Sequence, residues 1–236
     1  LTSGHTTLYS RQYTYQCIKQ AGMPVVRDRM FKILKDIDPA GVASRRLHLT
    51  TQPRGAFSVP GPNFFWSIDG HHKLSMYGIE IYAGIDTFSR YIPWIYVGIS
   101  THTGISCLRQ YLQVVASTRL LPHSIRSDRG TETMMMASAH WRLHQAICPS
   151  CPFHDVWWYG TSTLNQRIEA WWRHMSRSQT LAWKQYFDDF GSNGLYTDSE
   201  PYRIVLLYVY FPLVRDEIYN FVHLWNNHRI RSQKKQ

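Results

Sequence analysis

The chain has 236 residues, with 26 Lys or Arg against 16 Asp or Glu, a formal charge of +10, and 44% hydrophobic residues. That apolar share can bury a sizeable core, which excludes disorder for most of the chain, and the length suits one large domain with smaller attachments. The charge comes from a scarcity of acids and points to a polyanionic partner, nucleic acid before membrane surface.

The longest apolar run, Ile204 to Val214, is too short to span a bilayer and contains Pro212, so no membrane partner is expected. Cys17, Cys107, Cys148 and Cys151 are too few for a disulfide framework. With no charged-then-apolar leader, the expected compartment is nucleus or cytoplasm and not the secretory route. The opening Leu1, in place of Met, reads as a piece of a longer protein.

In chain order, Tyr9 to Gln20 and Val26 to Ile37 carry helical patterns joined by the turn Ala21-Gly22-Met23-Pro24. Met30, Ile33 and Leu34 share an apolar face in the second, with Arg27, Arg29, Lys32 and Lys35 outside it. A short helix pair with a basic second member has the pattern of a helix-turn-helix. Asp38 to Pro62, with Arg45, Arg46 and Arg54, reads as a basic linker. Strand signals follow at Asn63 to Asp69, Gly78 to Phe88 and Tyr91 to Gly98, close enough together to predict an antiparallel meander. Thr103 to Arg119 has helical spacing, and Pro122 ends it before a short strand, His123 to Asp128. A helix between strands is a crossover, so this last strand should run parallel to a member of the meander. Helices are then expected at Ala137 to Ile147, Leu164 to Arg177, Trp183 to Phe190 and Tyr202 to Asn227, the last kinked at Pro212. His228 to Gln236 reads as a solvated basic tail. The organisation is thus residues 1–60 as a partial helix-turn-helix-like segment with its linker, 61–180 as a core, and 181–236 as C-terminal helices and tail.

In so acid-poor a chain the carboxylates stand out. Asp69 ends the first strand and Asp128 the crossover strand, where α/β architectures bind ligands. If those strands are parallel neighbours, the two acids repel unless one is protonated or a hard cation such as Mg²⁺ lies between them. A third acid, Glu169, shares a helical face with Asn165, Gln166, Trp172 and Arg173. Each taken singly has a plainer explanation: a turn Asp before Gly, or a surface Glu paired with Arg173.

The joint pattern is more specific. Trp66-Ser67-Ile68-Asp69-Gly70, Gly84-Ile85-Asp86-Thr87-Phe88-Ser89-Arg90, Ser127-Asp128-Arg129-Gly130-Thr131-Glu132 and Asn165-Gln166-Arg167-Ile168-Glu169 resemble the integrase catalytic core of retroviruses, retrotransposons and related DNA transposons. The likeness covers about Pro62 to Trp172 and is strongest to the integrase-like proteins that eukaryotic genomes carry as transposon relics. It implies an α/β, RNase H-like fold with a mixed five-stranded sheet in the order β-β-β-α-β-α-β-α, flanked by helical N-terminal and C-terminal segments. It also implies a DDE site in which Asp69, Asp128 and Glu169 are the catalytic and metal-binding triad, holding two Mg²⁺ or Mn²⁺ ions for DNA strand cleavage and strand transfer. Asp86 and Glu132 match the motifs without being triad members. DNA is the implied partner and a homo-oligomer on DNA the implied assembly. Around the triad, Lys73, Arg129, Arg167 and Arg173 are expected to meet phosphates, and Asn165 and Gln166 sugar or base edges.

Other signals compete. His140, His144, Cys148 and Cys151 have zinc-like spacing, but they lie inside the core with too short a gap to fold a separate module. A surface loop with reduced thiols at Cys148 and Cys151 is preferred to structural zinc. Trp157, Trp158, Trp171 and Trp172 are read mainly as packing, with stacking on a displaced base as the alternative. Met134 to Met136 are placed in the loop after Asp128 and given no role beyond adaptable apolar contact. The reading is therefore a metal-dependent integrase or transposase domain. Its rivals are an inactive relic that binds nucleic acid or protein, and an RNase H-like nuclease with other substrates.

Overall fold

A computed structural model describes residues 11–39, 42, 59–100, 103–160 and 165–228. Most of the expected linker, with Arg45, Arg46 and Arg54, and the basic tail from Arg229 lie outside these residues. The meander appears as β1 (Phe65–His71), β2 (Glu80–Asp86) and β3 (Trp94–Gly98), each antiparallel to the next. Helix α3 (Gly104–Thr118), whose first turn is capped by the Thr103 hydroxyl accepting from the Ser106 N–H, crosses over to β4 (Ser124–Ser127). β4 lies parallel to β1, as the crossover argument requires. After α4 (Met134–Ile147) and the single turn α5 (Phe153–Val156), β5 (Trp157–Tyr159) adds parallel to β4, giving the sheet order β3-β2-β1-β4-β5. The mixed five-stranded, RNase H-like sheet expected from the sequence is the one observed.

Side-chain alternation divides the core between the two sheet faces. Trp66, Ile68, Tyr82 and Trp94 face α3 and α4, packing on Cys107, Tyr111, Met136 and Ala137. Ile81, Ala83, Ile85 and Val97 face the other way, against the helices that follow β5. These are α6 (Gln166–Met175), α7 (Leu181–Ser192) and α8 (Glu200–Asn227), and Tyr13 of α1 (Arg11–Gln20) joins the same cluster. Among the described residues no helix is long and apolar enough to cross a membrane.

α8 holds Pro212 within one helical element. Three local expectations change. α6 and α7 are not separated by a loop: a π-helical turn, Ser176–Thr180, joins them. Met134 to Met136 open α4, continuing from a short 3₁₀ turn at Thr131–Thr133, and Met136 is fully buried while Met134 and Met135 are exposed. In α2 (Arg27–Ile37) only Met30 is buried, and Ile33, expected on its inner face, is exposed.

Candidate active site

The register of β1 on β4 decides where the two strand-end acids stand. Phe65 lies opposite Ser124, Trp66 opposite Ile125 and Ser67 opposite Arg126, so the same offset carried two residues onward sets Asp69 opposite Asp128. Within β1, Trp66 and Ile68 enter the α3–α4 side, so pleating turns Asp69 toward the face covered by α6. Glu169 sits in the first turn of α6, where the helix dipole favours a carboxylate.

Two hydrogen bonds tie α6 to β1 on either side of Glu169. Asn165, four residues earlier, donates its amide to the Ile68 carbonyl at 3.1 Å. Trp172, three residues later, donates its indole N–H to Asp69 Oδ2 at 2.9 Å. The Gly70 N–H meets Asp69 Oδ1, also at 2.9 Å. Despite these donors, Asp69 is pushed up to about 7, mainly by burial and further by the nearby charges of Asp128 and Glu169. Asp128 and Glu169 are therefore each within electrostatic reach of Asp69. The three acids are not drawn into a ligand cage: among the described residues no group of three His, Cys, Asp or Glu is arranged to hold a metal ion. Their donor chemistry still fits a hard divalent cation, since oxygen ligands that repel one another in a half-buried setting are what such an ion neutralises.

Asp128 makes one local bond through its carboxylate and one through its backbone carbonyl. The Gly130 N–H reaches its Oδ1 at 3.3 Å, and the Ser127 hydroxyl donates to its carbonyl at 2.8 Å. Glu132 folds its carboxylate back over Gly130, so that a Cβ at that glycine would lie 2.1 Å from Oε1. Asp86 serves the fold: its oxygens accept from the Asn63 N–H at 3.1 Å, the Ser89 N–H at 2.9 Å and the Ser89 hydroxyl, closing the turn in which Arg90 takes a positive φ of 63°.

Of the residues read as DNA contacts, Lys73, Arg129, Gln166 and Arg173 are exposed at or beside the elements that carry the acids, and Arg167 is half-buried. Asn165 differs: it is only 4% exposed and its amide N–H is used on Ile68, which anchors α6, while its Oδ1 is buried without a partner among the described residues. The zinc-like set is split between two environments. His140 is fully buried with Nδ1 at 2.6 Å from the Tyr111 hydroxyl, and His144 Nε2 lies 2.9 Å from the Pro122 carbonyl. Cys148 is exposed and its thiol lies 3.6 Å from the Ser150 hydroxyl.

The residue that sequence reasoning missed is Trp172. It was assigned to packing, and it is indeed 5% exposed, but its polar edge also reaches Asp69. Its three-residue spacing from Glu169 puts both on one face, but spacing alone does not say that the indole edge turns to Asp69. Trp172 also stacks on His71, with ring centroids 4.8 Å apart and an interplanar angle of 20°. The His71 Nε2 lies 3.2 Å from Thr180 Oγ1 and 3.3 Å from Ser176 Oγ. Burial, with Lys73 and His72 nearby, pushes His71 down to about 4, so its ring is neutral at neutral pH.

A mixed sheet in this order, with acids at the ends of its adjacent parallel strands and on the helix packed over them, defines an RNase H-like class of domain. A family model for the integrase core domain matches residues 56–236, and the chain belongs to that family, as a retroviral-type integrase core. The family is one of DNA integration and transposition, acts on DNA by polynucleotidyl transfer, and typically uses divalent metals. No curated protein matches the chain.

Proposed function

We propose that this integrase core cuts and joins DNA strands by metal-dependent phosphoryl transfer, with Asp69, Asp128 and Glu169 as the metal-binding and catalytic acids. The observation that carries the reading is geometric: the β1–β4 register sets Asp69 opposite Asp128, and the Trp172 bond to Asp69 ties down the helix that bears Glu169; the raised Asp69 carboxyl agrees with it. In a chain with only 16 acids, a buried Asp69 that feels two further carboxylates is costly to ionise unless a cation balances it. Bound by these residues, Mg²⁺ or Mn²⁺ ions would activate water or a DNA 3′-hydroxyl and stabilise the leaving oxygen of an in-line displacement.

The remaining residues bind and orient. Lys73, Arg129 and Arg173 lie exposed on or next to the acid-bearing elements and supply charge for phosphates on either side of the scissile bond; Gln166 and Arg167 extend that contact along the N-terminal end of α6. The basic side chains of α2, Arg27, Arg29, Lys32 and Lys35, are exposed and add a second DNA contact. The assembly is a homo-oligomer on DNA. It is supported by an uncovered apolar strip on α8, Ile204, Val205, Tyr208, Val209 and Leu213, which a second copy would cover. A DNA substrate puts the work in the nucleus or cytoplasm.

The test mixes the protein with Mg²⁺ or Mn²⁺ and DNA carrying candidate terminal sequences, and compares wild type with Asp128→Asn. Metal-dependent nicking and joining in the wild type alone is the expected result. Equal activity in both removes the triad, and tight DNA binding with no activity in either identifies an inactive relic.

A further inference from the structure

Trp172 sits where three elements meet; it packs in the core beside Trp171, and two further contacts go beyond that packing. Its indole N–H is directed at Asp69 Oδ2 at 2.9 Å. Its ring lies flat on His71, two residues along the same strand. His71 in turn is held from the far side by Ser176 and Thr180, the first and last residues of the π-helical turn that ends α6. π turns inside helices are rare and gather at functional sites, because the extra residue re-aims neighbouring side chains. Here the turn brings two hydroxyls to one buried imidazole.

The consequence falls on Glu169. A helix lying on a sheet can rotate about its axis, and a modest rotation would swing a first-turn carboxylate away from the strand edge. α6 is pinned against this at two points, Asn165 on Ile68 and Trp172 on Asp69, which bracket Glu169 on a single face. The second pin uses one of the acids as its acceptor, so the bond that fixes the helix also fixes the orientation of the Asp69 carboxylate. With Gly70 on the other oxygen, Asp69 has one donor on each oxygen and the remaining lone pairs open.

We infer that Trp172 is a positioning residue: through its indole N–H on Asp69 and its stack on His71 it sets the orientation of Asp69 and the rotation of α6, and thereby where Glu169 stands. This rests on the reading of Asp69 and Glu169 as partners in one site. Hydrogen-bond partners of ligating carboxylates behave in this way generally, and their loss costs about 10- to 100-fold in metal affinity or activity.

Two measurements test it. In nitrogen-labelled protein, the indole resonance of Trp172, identified by its disappearance in Trp172→Phe, is expected to move and exchange faster in Asp69→Ala; a resonance left in place overturns the inference. Trp172→Phe keeps an aromatic ring beside His71 and removes the indole N–H together with part of the buried ring. Binding of Mn²⁺, followed by calorimetry, is expected to weaken roughly tenfold, with slower turnover, an unchanged KM for DNA and an unchanged circular dichroism spectrum. Wild-type Mn²⁺ affinity and turnover in Trp172→Phe overturn the inference. A wild-type protein that binds no Mn²⁺ overturns the proposed function instead, and the indole resonance in Asp69→Ala still decides the role of Trp172.

Discussion

Asp69 and Asp86 stand on paired antiparallel strands, three ladder positions apart, since Asp69 faces Ala83 and Asp86 faces Trp66. Both precede a small residue and both sit in motifs that resemble the same family. Asp86 is 2% exposed and its carboxylate is satisfied by three donors from its own turn and from Asn63. Asp69 has two donors; burial first, and the charges of Asp128 and Glu169 next, raise its carboxyl despite them. The difference separates a carboxylate that builds the fold from one that is left in deficit. A structural acid collects donors until its charge is balanced, whereas a ligand-binding acid keeps lone pairs free at an energetic cost.

Substitution should break the pair apart in opposite ways. Asp69→Asn is expected to lower strand cleavage by roughly a thousandfold, about 4 kcal/mol in transition-state stabilisation. Its melting temperature should hold or rise, because the amide removes a charge that burial and two neighbouring carboxylates disfavour. A lowered melting temperature with intact cleavage would reverse the roles assigned here. Asp86→Ala should do the converse, costing about 3 kcal/mol of stability in urea denaturation, because it leaves buried turn donors without their charged acceptor. Any residual folded fraction of Asp86→Ala should retain metal-dependent cleavage.

The contrast between these two acids was partly legible beforehand. The crossover rule makes β4 parallel to some member of the meander; that this member is β1, so that Asp69 stands opposite Asp128, is decided by the register. The sequence Asp86-Thr87-Phe88-Ser89-Arg90 reads as a turn because Ser and Asp can cap their own backbone. The roles of Asn165 and Trp172 were not legible. Helical spacing says which residues share a face, not which of them turns inward, and both are residue types that suit either a ligand or a buried anchor. The π turn escaped for a related reason: Ser176-Arg177-Ser178-Gln179-Thr180 carries no Gly or Pro to mark it, and its contacts with His71 are long-range ones that local spacing does not show. Met134 to Met136 were placed in a loop because three unbranched apolar residues in a row have no period of their own.

A buried group with a poorly supported charge should also appear in the pH dependence of stability, and His140 supplies the case away from the acids. Burial, reinforced by His144, pushes it from the ordinary 6.5 down to about 3. The unfolded chain therefore takes up a proton on this ring before the folded one does. Its contribution to stability is complete above pH 6.5 and is lost as pH falls toward 3, amounting to about 2 kcal/mol between pH 6.5 and 5. His140→Gln should flatten that part of the stability curve measured by urea denaturation at successive pH values. An unchanged slope would mean that the ring is protonated within the fold.

The smallest effect sharpens the account of Asp86. The turn it closes is braced from outside by α8: Trp225 donates its indole N–H to the Arg90 carbonyl at 2.8 Å, and Asn226 bonds both the N–H and the carbonyl of Ile92, at 2.8 and 3.0 Å. If Asp86 is a fold-building acid, this brace and the carboxylate support one local structure, and their losses should couple. Trp225→Phe removes one hydrogen bond while keeping an aromatic ring near Phe221 and Trp171, so it should cost about 1 kcal/mol. Combined with Asp86→Ala, it should cost less than it does in the wild-type background, because a turn already opened has less to lose. Additive losses in that double-mutant cycle would mean that α8 and Asp86 act on separate structures. Equal cost of Trp225→Phe in an Asp69→Asn background is expected, since Asp69 belongs to the other end of the strand pair.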